Sequence, residues 1–365
     1  MPRLALAALL ALGRIPVAGC APAADEPLRQ LRFSPDGRYV LAQDGSGIAV
    51  LTAHPLAVLF RIPAELAGFA QFTPDSLEIV FVTSPTRLDR QPPVARQRAL
   101  LTRLPPTVER WRVADQFRVD SPGIPAGCGT QALSPDGRTL VCEDFEGTLR
   151  LIDVASGDAF FEKKQFVRLV PLYDALPNGI IDLPNGQSWG DLGEACVHFS
   201  PDGRFLLADP CGGEGRKLAY DLHGMSEVSL GPGIGRTMHG NCVFVSPDRL
   251  LFPYHFAKGK ATARILAFPS GRVVSKSTIP SGPLFPAAGP GFVLIRPFGR
   301  HAFPGGPGAL RAAAVELSTG QVIISETSAL DVFGRYYVAE PSAGVVGLYE
   351  RGKGLQATVA LSDKR

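Results

Sequence analysis

The sequence predicts an all-β chain, a β-propeller of seven four-stranded blades, on three observations. The first is a repeated phrase: FSPDGRFLLA at 199–208 returns as FSPDGRYVLA at 33–42, FTPDSLEIVFV at 72–82, LSPDGRTLVC at 133–142 and VSPDRLLF at 245–252. The second is a set of seven outer hairpins that keep step with it. The third is a composition of 40 Gly and 33 Pro in 365 residues, which suits many turns between short strands. Self-similarity at a spacing of roughly 40 to 50 residues is the mark of propeller blades.

The phrase is a hairpin for physical reasons. Proline sets φ near −65° at the second turn position, aspartate bonds the nearby backbone, and glycine takes positive φ at little steric cost. The apolar residues on either side then pair as antiparallel strands.

The chain opens with MPRLALAALLALGRIPVAGC, which has the pattern of a secretory signal over 1–19. Arg3 is the basic head, 4–12 the apolar stretch, and small residues precede Cys20. Val17-Ala18-Gly19-Cys20 resembles a lipobox, in which Cys20 would carry the lipid, although Arg14 and Pro16 interrupt the pattern. A plain signal peptide is the alternative. Residues 20–27 form a linker, and a single propeller domain is expected over 28–365. No other stretch offers the 18 apolar residues that a membrane-spanning helix needs.

In the first blade, 28–33 reads as the inner strand, 38–42 as its partner, 47–51 as the third strand and 56–62 as the fourth. The outer hairpins follow at 47–62, 100–113, 147–161, 217–230, 263–279, 312–327 and 344–361. Five inner hairpins keep the Ser/Thr-Pro-Asp turn; 291–295 and 332–339 supply the remaining two in decayed form. Seven blades average about 48 residues against a usual 40 to 45, so insertions are expected. Six or eight blades stay open because 162–194 and the region after 279 are irregular.

These repeats resemble the bacterial WD40-like propellers of the TolB and YVTN types over nearly the whole mature chain. The Trp-Asp ending of eukaryotic WD40 repeats is missing, Ile152-Asp153 being its nearest echo. So is the Gly-His pair. The resemblance implies a fold and not an activity, because propellers carry many unrelated functions. With the first blade starting on its inner strand and the last ending on its outer one, closure is expected to rest on side-by-side packing without strand exchange.

Strand order separates two rims. First-to-second and third-to-fourth connections share one rim, where every turn is short. The other carries the longer stretches 83–98, 120–130, 162–194, 231–241, 253–262 and 297–311. Long loops on a rigid scaffold are where binding concentrates, which makes this the expected working rim. Its candidate residues are Arg87, Arg90, Arg96 and Arg98 in a proline-rich basic stretch, Trp189 in the 162–194 insertion, and His239 and His255. Each has a plainer reading, as a solvated charge run or as a pin that holds its loop.

Cys128, Cys142, Cys196, Cys211 and Cys242 fall towards the same rim and admit disulfides in an exported protein. Pairing Leu133 with Arg138 would put Gly129 opposite Cys142 and leave Cys128 one place off. Cys211 could reach Cys196 or Cys242, and small buried hydrophobes are the alternative reading for Cys142 and Cys242. No CxxC, CxxCH, HxH or HExxH occurs, so neither metal nor cofactor is expected. Gly186-Gln187-Ser188-Trp189-Gly190 matches GxSxG, yet the strand-to-helix elbow that such a nucleophile needs is not predicted there.

A net charge of +3 gives no argument for nucleic acid. The expectation is a non-catalytic envelope scaffold, periplasmic or attached to the outer membrane through Cys20, that binds another envelope protein or a ligand on its elaborated rim. The competing class is a propeller enzyme, lactonase-like or quinone-dependent dehydrogenase-like, with its site at the channel mouth. Arg32, Gln71 and His198, each two residues before a turn Ser or Thr, are its candidate layer; packing between blades is the reading preferred for them.

Overall fold

In the first turn, Ser34 Oγ donates to Asp36 Oδ1 at 2.7 Å and accepts from the N–H of Tyr39 at 2.9 Å, while Arg38 N–H donates to Asp36 Oδ1 at 3.0 Å. The Ser/Thr-to-Asp bond returns at Thr73–Asp75, Ser134–Asp136 and Ser200–Asp202, each at 2.6 Å, and at Ser246–Asp248 at 3.0 Å. Gly37, Gly137 and Gly203 take φ of 73°, 68° and 73°. Ser76 holds the same place in the second copy at φ 63°, a strained value for a residue with a Cβ. Its Oγ accepts from the N–H of Asp36 at 3.1 Å, so the exception to glycine ties two turns together.

The computed structural model describes residues 28–63, 70–83, 107–119, 128–144, 148–164, 181–183, 187–189, 195–210, 217–235, 242–257, 260–280, 284–295, 313–324 and 330–361. They form seven antiparallel four-stranded sheets, each built from four consecutive strands, arranged as a seven-bladed β-propeller. Blade one is β1 (Gln30–Phe33), β2 (Tyr39–Gln43), β3 (Gly47–Thr52) and β4 (Ala57–Pro63). Blade two is β5 (Gln71–Phe72), β6 (Glu78–Thr83), β7 (Thr107–Arg112) and β8 (Phe117–Val119). Blade three is β9 (Cys128–Leu133), β10 (Thr139–Asp144), β11 (Leu149–Asp153) and β12 (Ala159–Lys163). A two-stranded ribbon, β13 (Ile181–Leu183) and β14 (Gln187–Trp189), follows. Blade four is β15 (Ala195–Phe199), β16 (Phe205–Pro210), β17 (Leu218–Asp221) and β18 (Ser226–Glu227). Blade five is β19 (Val243–Ser246), β20 (Arg249–Ala257), β21 (Lys260–Ala267) and β22 (Val273–Pro280). Blade six is β23 (Leu284–Pro286), β24 (Phe292–Ile295), β25 (Ala313–Glu316) and β26 (Val322–Ile324). Blade seven is β27 (Leu330–Phe333), β28 (Tyr336–Ser342), β29 (Val345–Glu350) and β30 (Gly354–Ala360).

Three details depart from the sequence reading. The outer hairpin of blade two is β7–β8, running from 107 to 119 and not from 100 to 113. Residues 253–262 are not a loop, because β20 and β21 pair through to Ala257↔Lys260 and make blade five a tall hairpin. Leu133 pairs with Leu140, not Arg138, so Gln131 stands opposite Cys142. The expected four-residue turn, Ser134 to Gly137, gave way to the five-residue Ser-to-Arg turn that the hydroxyl and carboxylate stabilise.

The core lies between blades rather than within them. Leu28, Leu31, Phe33, Val40 and Ala42 of blade one pack on Val338, Val346 and Leu348 of blade seven, all buried. Burial of this kind contributes about 25 cal/mol per Å² of apolar surface. No strand is exchanged at this seam, as expected. Polar groups fasten it instead. Asp331 Oδ2 accepts from Phe33 N–H at 2.9 Å across the seam, and Oδ1 accepts from Ala288 N–H of the blade-six turn at 3.1 Å and Val332 N–H at 2.8 Å. Glu340 Oε1 accepts from Leu28 N–H at 2.9 Å and Gly344 N–H at 3.1 Å.

The neighbouring seams use amides. Gln30 Nε2 donates to Ala70 O at 2.9 Å and Gln43 Oε1 accepts from Ala70 N–H at 3.2 Å, so two side chains paired across β1 and β2 hold both backbone groups of one residue. Gln71 Nε2 donates to Leu133 O at 3.1 Å and Ser134 O at 2.9 Å, joining blade two to blade three.

Candidate interaction rim

The lengths of the connections divide the ring. On the rim that carries the Ser/Thr-Pro-Asp turns, every first-to-second and third-to-fourth connection has two to five residues. On the opposite rim they run from two residues to the stretch 84–106 and the stretch 164–194. The short turns also use their chemistry internally. For Asp36, burial pushes the carboxyl up, but hydrogen bonds from Ser34 and Arg38 outweigh it and leave the pKa below its ordinary value. Asp75 behaves alike: burial opposes, and Thr73 and the Leu77 N–H prevail.

The insertion 164–194 does more than extend a loop. Its described part is the β13–β14 ribbon, with Ile181 opposite Trp189 and Asp182 opposite Ser188. β14 lies against β9 and β15, the inner strands of blades three and four. Ser188 therefore sits within a strand of a hairpin ribbon and not at a strand-to-helix elbow.

The other sequence candidates are distributed around this rim. His255 stands in β20 opposite Thr262. Cys128 is opposite Asp144 at a bulge, and Cys196 is opposite Asp209. Cys142 is disulfide-bonded. Cys242 is a buried thiol packed among Leu207, Ala219, Ile234 and Phe244. Cys20, Arg87, Arg90, Arg96, Arg98, Cys211 and His239 lie outside the described residues. Among the described residues, no group of three His, Cys, Asp or Glu side chains is placed to hold a metal ion, and no helix is long and apolar enough to cross a membrane.

Arg32, Gln71 and His198 do share one level of the ring, opposite Leu41, Val80 and Leu207 in their hairpins. Gln71 is engaged by blade three, and His198 is 3% exposed. Burial depresses Arg32, with Asp331 opposing that shift. Burial likewise pushes Asp331 up, against Arg32 and its three N–H donors. Burial also raises Glu340, whose Oε2 is buried with no hydrogen-bond partner.

Asp331, Glu340, Gln30 and Gln43 escaped the sequence reading. Their one signal was a polar residue inside an apolar strand, as in Leu330-Asp331-Val332-Phe333, which marks a polar group that needs a buried partner.

No protein family model matches the chain, and no curated protein matches it. Among solved structures it is similar to the crystal structure of TolB from Acinetobacter baumannii, at 12% identity and a TM-score of 0.39. The alignment covers 70% of this chain and 55% of that one, little more than half its length. A likeness at this level carries no argument about activity, and the fold rests on the seven sheets themselves.

Proposed function

We propose that this chain is a non-catalytic interaction scaffold of the bacterial envelope that binds a partner protein through its elaborated rim. One observation carries the reading: connections of two to five residues on one rim face connections as long as 164–194 on the other. A ring of rigid blades tolerates such elaboration only where backbone can stay solvated or bind, and bound loops on a fixed scaffold are the common use. Supporting it, inner-strand polar groups such as Gln71 and Asp331 are committed to bonds between blades, where a channel-mouth enzyme would turn them towards substrate. Export is supported by the signal-like 1–19, and tethering by the lipobox-like approach to Cys20.

The test is copurification of the mature chain from crosslinked envelopes, with 84–106 or 164–194 replaced by a short Gly-Ser turn. The partner is expected to be lost while the thermal transition stays cooperative. A partner retained by either shortened chain contradicts the proposal. For the tether, wild type is expected in the membrane fraction and Cys20→Ser in the soluble one; equal partitioning removes the lipid anchor from the account.

A further inference from the structure

Cys142 of β10 is disulfide-bonded, and the fold itself says to which cysteine. Cys242 remains a thiol, so the choice lies among Cys20, Cys128, Cys196 and Cys211. Cys142 is buried against Val80 and Val108 of blade two. The residue before it, Val141, packs instead on Val197 and Phe199 of blade four. Successive side chains of a strand leave opposite faces of its sheet, so blade four lies behind Cys142. That is the side of Cys196, in β15, and of the chain that leaves β16 at Pro210 towards Cys211. Cys20 ends the lipobox-like string ahead of the first blade.

Cys128 remains, and its register suits the bond. It stands opposite Asp144, two residues beyond Cys142 on the same strand, and therefore on the face of the sheet that Cys142 occupies. Thr130 pairs with Glu143 and Cys128 with Asp144, which leaves Gly129 as the extra residue of a bulge between them. A diagonal across a regular ladder separates Cα atoms by about 7–8 Å. A disulfide spans about 4.4–6.8 Å, and the bend that a bulge puts into its strand closes the difference.

The place of the bond gives it a task. β9 is the inner edge strand of blade three, and beyond the bulge a single pair, Cys128 with Asp144, continues its ladder to β10. Against this strand, and against β15, lies β14 of the 164–194 ribbon. We propose that Cys128 is the disulfide partner of Cys142 and that their bond clamps the elaborated-rim end of β9, fixing the seat of the β13–β14 ribbon. Forming it joins the two sulfurs and releases two thiol protons. The two electrons pass to a protein disulfide of the oxidising compartment, which becomes a dithiol.

The pairing is tested on the whole mature chain from an oxidising compartment, alkylated with N-ethylmaleimide, digested without reductant and mapped by mass spectrometry. One cross-linked species carrying Cys128 and Cys142 is expected, with Cys142 alkylated only after reduction. Cys142 joined to any other cysteine, or alkylated without reduction, overturns the proposal. The task is tested by hydrogen exchange in Cys128→Ala, which leaves Cys142 as a small buried hydrophobe. Amides of 181–189 are expected to exchange at least tenfold faster than in the parent, while those of 345–360 in blade seven stay within twofold. Unchanged exchange in the ribbon, or equal acceleration in both segments, overturns the clamp. The scaffold reading stands or falls separately: a mapped bond without any copurifying partner leaves the clamp in place, whereas a partner kept by a chain whose Cys142 is unbonded leaves the scaffold without it.

Discussion

At the scale of single residues, the repeated turn is a small closed circuit. Ser200 is fully buried; its Oγ donates to Asp202 and accepts from Phe205 N–H at 2.8 Å. Ser200→Ala leaves that N–H without its side-chain acceptor, and stability should fall by about 1–3 kcal/mol in urea titration. Gly231 is more sensitive still. A Cβ there would lie 1.7 Å from the carbonyl oxygen of Ser270, and its N–H donates to Pro269 O at 3.0 Å. Because backbone cannot give way as a side-chain tip can, Gly231→Ala should unfold at markedly lower denaturant than Gly320→Ala, where no atom lies within 4 Å and only the positive φ of 72° resists. These constraints were partly legible in the sequence. The Ser-Pro-Asp-Gly string announced its turn, but the close approach at Gly231 depends on a carbonyl about 40 residues away, which no local pattern reports.

At the scale of elements, the decisive contact is between the first strand and the last blade. Leu31 is fully buried at this seam, and Leu31→Ala should cost about 2–5 kcal/mol. Asp331→Asn turns an acceptor into a donor, which would face either Phe33 N–H or the pair from Ala288 and Val332. Amide exchange in β1 and β27 should therefore speed up together. Glu340 sets a pH dependence whose sign follows from its environment. Its carboxyl is raised by burial, so its contribution to stability is complete below the ordinary carboxyl range and is lost as pH rises through the elevated value. Glu340→Gln keeps an oxygen for Leu28 and Gly344 and cannot ionise. Its melting temperature relative to wild type should be higher at pH 7.5 than at pH 4; an offset that is the same at both would refute this. Blade order and the unswapped closure could be read from the phrase and its spacing. The fasteners could not, since Asp331 and Glu340 acquire meaning only when β1 is brought beside β27 and β28.

At the scale of the whole molecule, a ring of similar blades is mechanically even but chemically two-sided. One rim repeats a turn that satisfies itself, and the other varies from a two-residue link to the 164–194 insertion with its own ribbon. This asymmetry was visible in the spacing of the phrases, whereas the ribbon was hidden in a stretch whose turn residues conceal its pairing. The height of blade five was hidden as well, because Pro253 and Gly259 in 249–267 read as loop. The most direct measurement compares envelope copurification for three chains: the parent, one shortened across 84–106, and one with an insertion of equal length in the 154–158 turn of the plain rim. The account predicts a partner with the parent and with the plain-rim insertion, and none with the shortened chain at unchanged thermal stability. A partner kept by the shortened chain, or lost on the plain-rim insertion, would contradict it.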